Sequence, residues 1–178
     1  MVPPVLIFAI GNESRGDDAL GVLLLRKLSD WLTTSKCSES FELLEDFQLQ
    51  IEHAMDMKDR RLVLFIDAGM NSSAPFSFYP AQLNNEPILY THALVPESLL
   101  KVYEKFYLEA PPDAFILCIR GEQFELGEDI SMQAEDNLAS ALEFGKILLN
   151  APEYQAWESF CIQKSLEHST YHEDNHSV

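Results

Sequence analysis

Apolar residues along this chain fall in blocks that alternate between two kinds of pattern. Continuous apolar runs occupy Val5-Leu6-Ile7-Phe8-Ala9-Ile10, Arg61-Leu62-Val63-Leu64-Phe65-Ile66-Asp67-Ala68 and Ala114-Phe115-Ile116-Leu117-Cys118-Ile119. Runs of this length without a polar alternate predict strands buried on both faces, the first of them central in its sheet. Between them lie segments with apolar residues at helical spacing. Residues 17–28 open on Asp17 and Asp18 and close on Arg26 and Lys27, as a helix dipole prefers. A second helix opens near Pro96 and runs through Leu99, Leu100, Val102, Tyr103 and Phe106, with proline suited to its first turn. A third starts at Ser131 and continues through Leu138, Leu142, Ile147 and Leu148.

Weaker signals complete the series. Phe41-Glu42-Leu43-Leu44-Glu45-Asp46 reads as a second strand, residues 51–57 as a short helix, and residues 89–92 as a further stretch ending on His92. Phe76-Ser77-Phe78-Tyr79 is bracketed by Pro75 and Pro80, which restricts it to a sheet margin. Strands alternating with helices over short connections predict an α/β fold. The chain has 178 residues, the span of one domain. The expected arrangement is a single-domain three-layer sandwich with a mostly parallel central sheet, over residues 1–150. Residues 151–178 turn polar and are expected to form a loosely held tail, partly helical or disordered. His168, His172 and His176 recur every four residues there, which would stack them on one helix face, but their polar flanks favour a mobile terminus.

Charge narrows the function. Twelve Lys and Arg against 29 Asp and Glu give a formal charge of −17, which disfavours a phosphate backbone as partner and so excludes nucleic acid. The same field attracts divalent cations and basic peptides. No apolar run approaches the roughly 20 residues of a membrane span. The amino terminus has neither a basic region nor a cleavage site of the secretory kind, so a cytoplasmic protein is expected, and its size suits a monomer. Cys37, Cys118 and Cys161 are odd in number and lack C-x-x-C spacing, which argues for inert thiols over a disulfide framework or a zinc site.

In open α/β sheets, ligands bind beyond the carboxyl ends of the strands. Three ionisable residues meet that condition: Asp18 after the first strand, Asp67 at the end of the third, and His92. Two carboxylates and an imidazole form a plausible N,O site for a divalent metal, with positions left open for water or substrate. Each has a plainer reading. Asp18 would serve a helix dipole equally well, although Asp17 fits that capping role better. His92 alone would suit a structural hydrogen bond. Asp67 ends a very apolar strand, where a carboxylate is costly unless it has a task. A nucleotide-binding Rossmann site fits less well, because Ala9-Ile10-Gly11-Asn12-Glu13-Ser14-Arg15-Gly16-Asp17-Asp18 lacks G-x-G-x-x-G and places two carboxylates, Asp17 and Asp18, where a pyrophosphate would sit. Neither a phosphate-binding G-x-x-x-x-G-K-[ST] loop nor a G-x-S-x-G elbow is present.

Ile10-Gly11-Asn12 followed by Gly16-Asp17-Asp18-Ala19-Leu20-Gly21 resembles the amino-terminal signature of the nickel-iron hydrogenase maturation proteases. The resemblance extends to Phe65-Ile66-Asp67-Ala68, to Thr91-His92, and to Gly127-Glu128-Asp129-Ile130-Ser131, covering roughly residues 5 to 149. It implies a phosphorylase/hydrolase-like fold and an aspartic-type endopeptidase that removes a carboxyl-terminal extension from the hydrogenase large-subunit precursor once nickel is inserted. It further implies that Asp18, Asp67 and His92 are both the metal-binding and the catalytic residues, that the nickel arrives with the substrate, and that no organic cofactor is needed. Ala9 stands where the family commonly has glycine. After the second strand, Asp46-Phe47-Gln48-Leu49-Gln50-Ile51 replaces a Gly-Gly-Thr type turn, which makes Phe47 and Gln48 candidate substrate-binding residues, with an ordinary connection as the equal alternative. A non-catalytic nickel-dependent chaperone of the same precursor would need the same ligands.

Overall fold

The computed structural model of the protein describes residues 2–35, 38–83 and 94–161. Its strands are β1 (Val5–Ile10), β2 (Phe41–Asp46), β3 (Leu62–Gly69), β4 (Phe76–Pro80) and β5 (Asp113–Arg120). They form one sheet in the order β2-β1-β3-β5-β4, parallel except for β4, which pairs antiparallel with β5 at the margin. Helices α1 (Leu20–Thr33), α2 (Pro96–Tyr107) and α3 (Met132–Asn150) cover its faces.

The continuous apolar runs are two-faced strands, as the pattern predicts. In β1, Val5, Ile7 and Ala9 pack with Leu20, Leu24 and Leu28 of α1 and with Ala141 and Leu148 of α3. Leu6, Phe8 and Ile10 face the other way, toward Leu99, Leu100 and Tyr103 of α2. β3 divides in the same manner: Leu64 and Ile66 lie under α1, Val63 and Phe65 under α2. Alternation then turns the next side chain, Asp67, to the α2 face. The result is the expected three-layer α/β sandwich.

Three expectations need adjustment. The segment opening at Asp17 begins as a 3₁₀ turn over Gly16–Ala19, and α1 proper starts at Leu20. The short helix after β2 is a 3₁₀ turn, Ile51–Ala54, followed by further turns to residue 59. The core also continues past Asn150. Residues 154–161 are helical, and Trp157 is 0% exposed, with its Nε1 donating to the Leu148 carbonyl at 3.0 Å. Its ring lies edge-on to Phe78 and Phe115. The polar composition of residues 151–161 conceals three aromatic anchors, Tyr154, Trp157 and Phe160, so the helical part of this stretch is held on the core. The histidines at 168, 172 and 176, and the stretch 89–92, lie outside the described residues. Among the described residues no helix is long and apolar enough to cross a membrane.

One close approach fixes where α1 begins. A Cβ on Gly21 would lie 2.4 Å from the Ile10 carbonyl oxygen, at the end of β1, and 2.9 Å from that of Ile66, in the second half of β3. The helix can therefore touch both strands only because residue 21 has no side chain. Gly11 supports the same junction: it has φ +149°, and a Cβ there would meet the Asp18 carbonyl oxygen at 1.9 Å. Gly21→Ala is expected to push α1 off the sheet and cost about 3 kcal/mol by overpacking. Urea unfolding would measure it, and a loss below about 0.5 kcal/mol would show that the junction yields freely.

Candidate functional site

β1 and β3 are neighbours whose onward connections leave in opposite directions, β1 toward β2 and β3 toward β5. This is the topological switch point of the sheet, where a crevice opens beyond the strand ends. A cleft of about 520 Å³ occupies it, lined by Asp18, Asp67, Arg15, Phe47, Gln48 and Leu94 among others. Its size is that of a small-ligand or peptide site. The structure thus brings together Asp18, Asp67, Phe47 and Gln48, four of the five residues singled out by sequence. His92 lies outside the described residues, although Leu94, two positions on, lines the cleft and pairs with Leu49 across it. Among the described residues no group of three His, Cys, Asp or Glu side chains is close enough to hold a metal ion.

The adjacent acids Asp17 and Asp18 have different tasks. In a 3₁₀ turn, successive side chains point about 120° apart, so one can enter the protein while the next faces the cleft. Asp17 is 0% exposed. Its Oδ2 accepts from the backbone N–H groups of Glu122 (2.7 Å) and Gln123 (3.0 Å) and from the Ser131 hydroxyl (2.9 Å), and its Oδ1 accepts from Ser131 N–H (2.8 Å). Ser131 Oγ in turn accepts from Ala134 N–H and caps α3. Asp17 therefore does not cap its own helix, contrary to the expectation from sequence. It binds the β1–α1 loop to the β5–α3 connection, residues 121–131, whose last part, Gly127 to Ser131, belongs to the resembling sequence. Burial alone would push its pKa up, but the hydrogen bonds from Glu122, Ser131 and Gln123 outweigh burial and hold the carboxyl below its ordinary value.

Asp18 is half-buried at the cleft wall, where its Oδ2 accepts from Asn12 N–H at 3.0 Å. Asp67 differs in its supply of donors. Its Oδ1 accepts from Ala68 N–H at 2.8 Å. Burial, only partly offset by that bond and reinforced by the nearby charge of Asp18, raises its pKa to about 6. Two carboxylates thus converge on one space where at least one is poorly solvated, an arrangement that a cation would relieve. Beside Asp67 in the register of β3 and β5 is Cys118, whose thiol is pushed up by burial and by the Asp67 charge and so stays protonated. Sequence reasoning missed Arg15, the cation among the cleft-lining residues, whose Nε donates to the Phe124 carbonyl at 3.1 Å. It sits inside the Gly11 to Gly16 loop, where an exposed arginine carries no distinguishing pattern.

Phe47 and Gln48 are held rigidly. His53 Nδ1 accepts from Gln50 N–H at 3.0 Å, so its Nε2–H faces Asp46 Oδ2, at 3.3 Å. The other Asp46 oxygen accepts from Phe47 N–H at 2.6 Å, and the imidazole rests on the Phe8 ring with centroids 4.6 Å apart. The turn from 46 to 50 is pinned at both ends by one imidazole, leaving Phe47 70% exposed at the cleft rim.

The raised pKa of Asp67 has a consequence for stability. The unfolded chain releases this proton near pH 3.8 and the folded chain near pH 6. Between those values the folded state binds more protons, so stability contributed by this group falls as pH rises and the penalty is complete above about pH 6. Asp67→Asn keeps the oxygen that Ala68 N–H bonds and removes the charge. It is expected to stabilise the protein at pH 7 by about 3 kcal/mol, or about 8 °C in Tm, with the gain vanishing below about pH 4. A variant less stable than the parent at pH 7 would contradict this.

No family model and no curated protein matches this chain. Solved structures do. The chain is similar to the NiFe hydrogenase maturation protease HycI from Thermococcus kodakarensis KOD1, at 20% identity and a TM-score of 0.64, over 83% of this chain and 93% of that one. It is also similar to the hydrogenase maturating endopeptidase HybD from E. coli, at 21% identity and a TM-score of 0.60, over 82% and 91%. An uncharacterized protein from Wolinella succinogenes aligns at 19% identity and a TM-score of 0.56, over 85% and 99%. This chain has the fold of the hydrogenase maturation proteases across most of its length.

Proposed function

We propose that this protein is a hydrogenase maturation protease, an endopeptidase that removes the carboxyl-terminal extension of a nickel-loaded hydrogenase large-subunit precursor. The observation that carries the reading is the convergence of Asp18 and Asp67 in one cleft at the switch point of a sheet that hydrogenase maturation proteases share. A carboxylate held short of donors beside a second carboxylate is poorly explained by stability and well explained by a cation brought from outside.

In this reading nickel belongs to the substrate. Asp18 and Asp67 complete its coordination from the protein side, with His92 as the third donor on the strength of its place in the resembling sequence. Oxygen and imidazole donors suit a divalent nickel ion. Coordination then orients the precursor so that its scissile bond lies in the cleft, and a precursor without nickel lacks the anchor. Hydrolysis needs a water that attacks the peptide carbonyl carbon, gives up a proton, and expels the amine, which takes a proton in return. Whichever of Asp18 and Asp67 keeps a carboxylate oxygen free of the nickel is placed to accept and return that proton.

Cleavage of a purified large-subunit precursor, with and without nickel, tests the proposal. Only the nickel-loaded precursor is expected to be cut, and Asp67→Asn is expected to slow cutting by at least about 100-fold. Because the same variant is expected to be more stable than the parent, lost activity would not be lost folding. Equal processing of the nickel-free precursor, or parental rates in Asp67→Asn, would refute the assignment.

A further inference from the structure

A second hollow of about 200 Å³, with an almost wholly apolar lining, lies between the 3₁₀ turn Ile51–Ala54 and α2 and is walled by Ile51, Ala54, Met55, Val102 and Phe106. Both hollows are built from the same two chain segments in the same order. The first wall passes from Phe47, Gln48 and Leu49 at the cleft to Ile51 and Met55 at the hollow; the second passes from Leu94, Val95 and Pro96 to Val102 and Phe106. They flank one seam, which the bridge between Leu49 and Leu94 crosses between them. Pro96 to Val102 is six residues, about 9 Å of helix, a distance that an extended peptide covers in about three residues.

The seam concentrates exposed apolar surface. Of the thirteen large apolar side chains exposed among the described residues, six border it: Phe47, Ile51, Met55, Met70, Val95 and Phe106. Met55 is 55% and Phe106 67% exposed. Clustering of this kind marks an interaction surface, whereas single exposed apolar residues do not. The wall formed by the Asp46 to Gln50 turn is fixed by His53, so the surface is prebuilt.

We infer that this groove seats an apolar stretch of the polypeptide being cleaved, with an apolar side chain a few residues from the scissile bond entering between Met55 and Phe106. The inference rests on the proposed function and adds a substrate feature to it. Nearness to the carboxylate cleft selects the substrate chain as occupant, since a peptide placed across Asp18 and Asp67 and over the Leu49–Leu94 bridge reaches the hollow. The formal charge of −17 and Glu52 in the hollow's wall select against an acidic stretch.

Steady-state cleavage of nickel-loaded precursor by Met55→Glu and Phe106→Glu tests this, with Ile147→Glu as control. Ile147 is 50% exposed on α3, in the opposite layer. Both groove variants are expected to raise KM about tenfold while kcat stays within about twofold. Ile147→Glu should behave as the parent, and Phe106→Leu should recover most of the loss. Parental KM in both groove variants, with the parent active, would overturn the groove and leave the proposed function intact. A parent that neither binds nor cleaves the precursor would remove the proposed function and the groove together. Self-association of the parent that both variants abolish with KM unchanged would assign the surface to a second copy of the chain, and would also overturn the inference.

Discussion

The site depends on a buried charge that is not itself part of it. Asp17 is enclosed in the protein and remains ionised because two backbone N–H groups, Ser131 N–H and the Ser131 hydroxyl all point at it. A carboxylate in such a place is tolerable only while every donor stays. It therefore locks the β1–α1 loop against the connection into α3, two segments more than a hundred residues apart in sequence. Asp18, the next residue, inherits that rigidity and is presented to the cleft without freedom to withdraw. Gly21 completes the constraint by letting α1 rest against backbone carbonyls of both β1 and β3.

Asp17 and Asp67 illustrate how the same side chain is set to opposite purposes by its donors. Well supplied, Asp17 titrates below its ordinary range and adds stability that is present at neutral pH and lost on acidification. Poorly supplied, Asp67 titrates near 6 and detracts from stability at neutral pH. Environments that push two carboxyls apart in this way mark Asp17 as structural and Asp67 as the candidate for a task. The protein tolerates a local instability at the strand end, which a cation bound between the carboxylates, as in the proposed function, would relieve.

Much of this was legible in the sequence. The apolar runs of β1, β3 and β5 are unmistakable because parallel strands buried on both faces have no polar alternate, and the rule that ligands lie beyond strand ends then selects Asp18 and Asp67 directly. Pro75 and Pro80 correctly marked β4 as marginal. What stayed hidden depends on long-range pairing. Adjacent acids in Gly16-Asp17-Asp18 give no sign of which one turns inward, since that is decided by donors at Glu122 to Ser131. The anchoring of residues 154–161 rests on Trp157 together with Tyr154 and Phe160, and the polar residues between them average these aromatics away. The groove beside α2 was invisible because its walls, Met55 and Phe106, come from segments that each look like an ordinary amphipathic turn.

The central claim is that carboxylates of this protein complete the coordination of a nickel ion carried by the substrate. X-ray absorption at the nickel edge, recorded on the loaded precursor alone and then bound to the protein, addresses it without relying on turnover. The account predicts that binding adds oxygen or nitrogen donors to the nickel shell, and that Asp18→Ala together with Asp67→Ala removes that addition. A nickel shell unchanged by binding of the parent protein would contradict it.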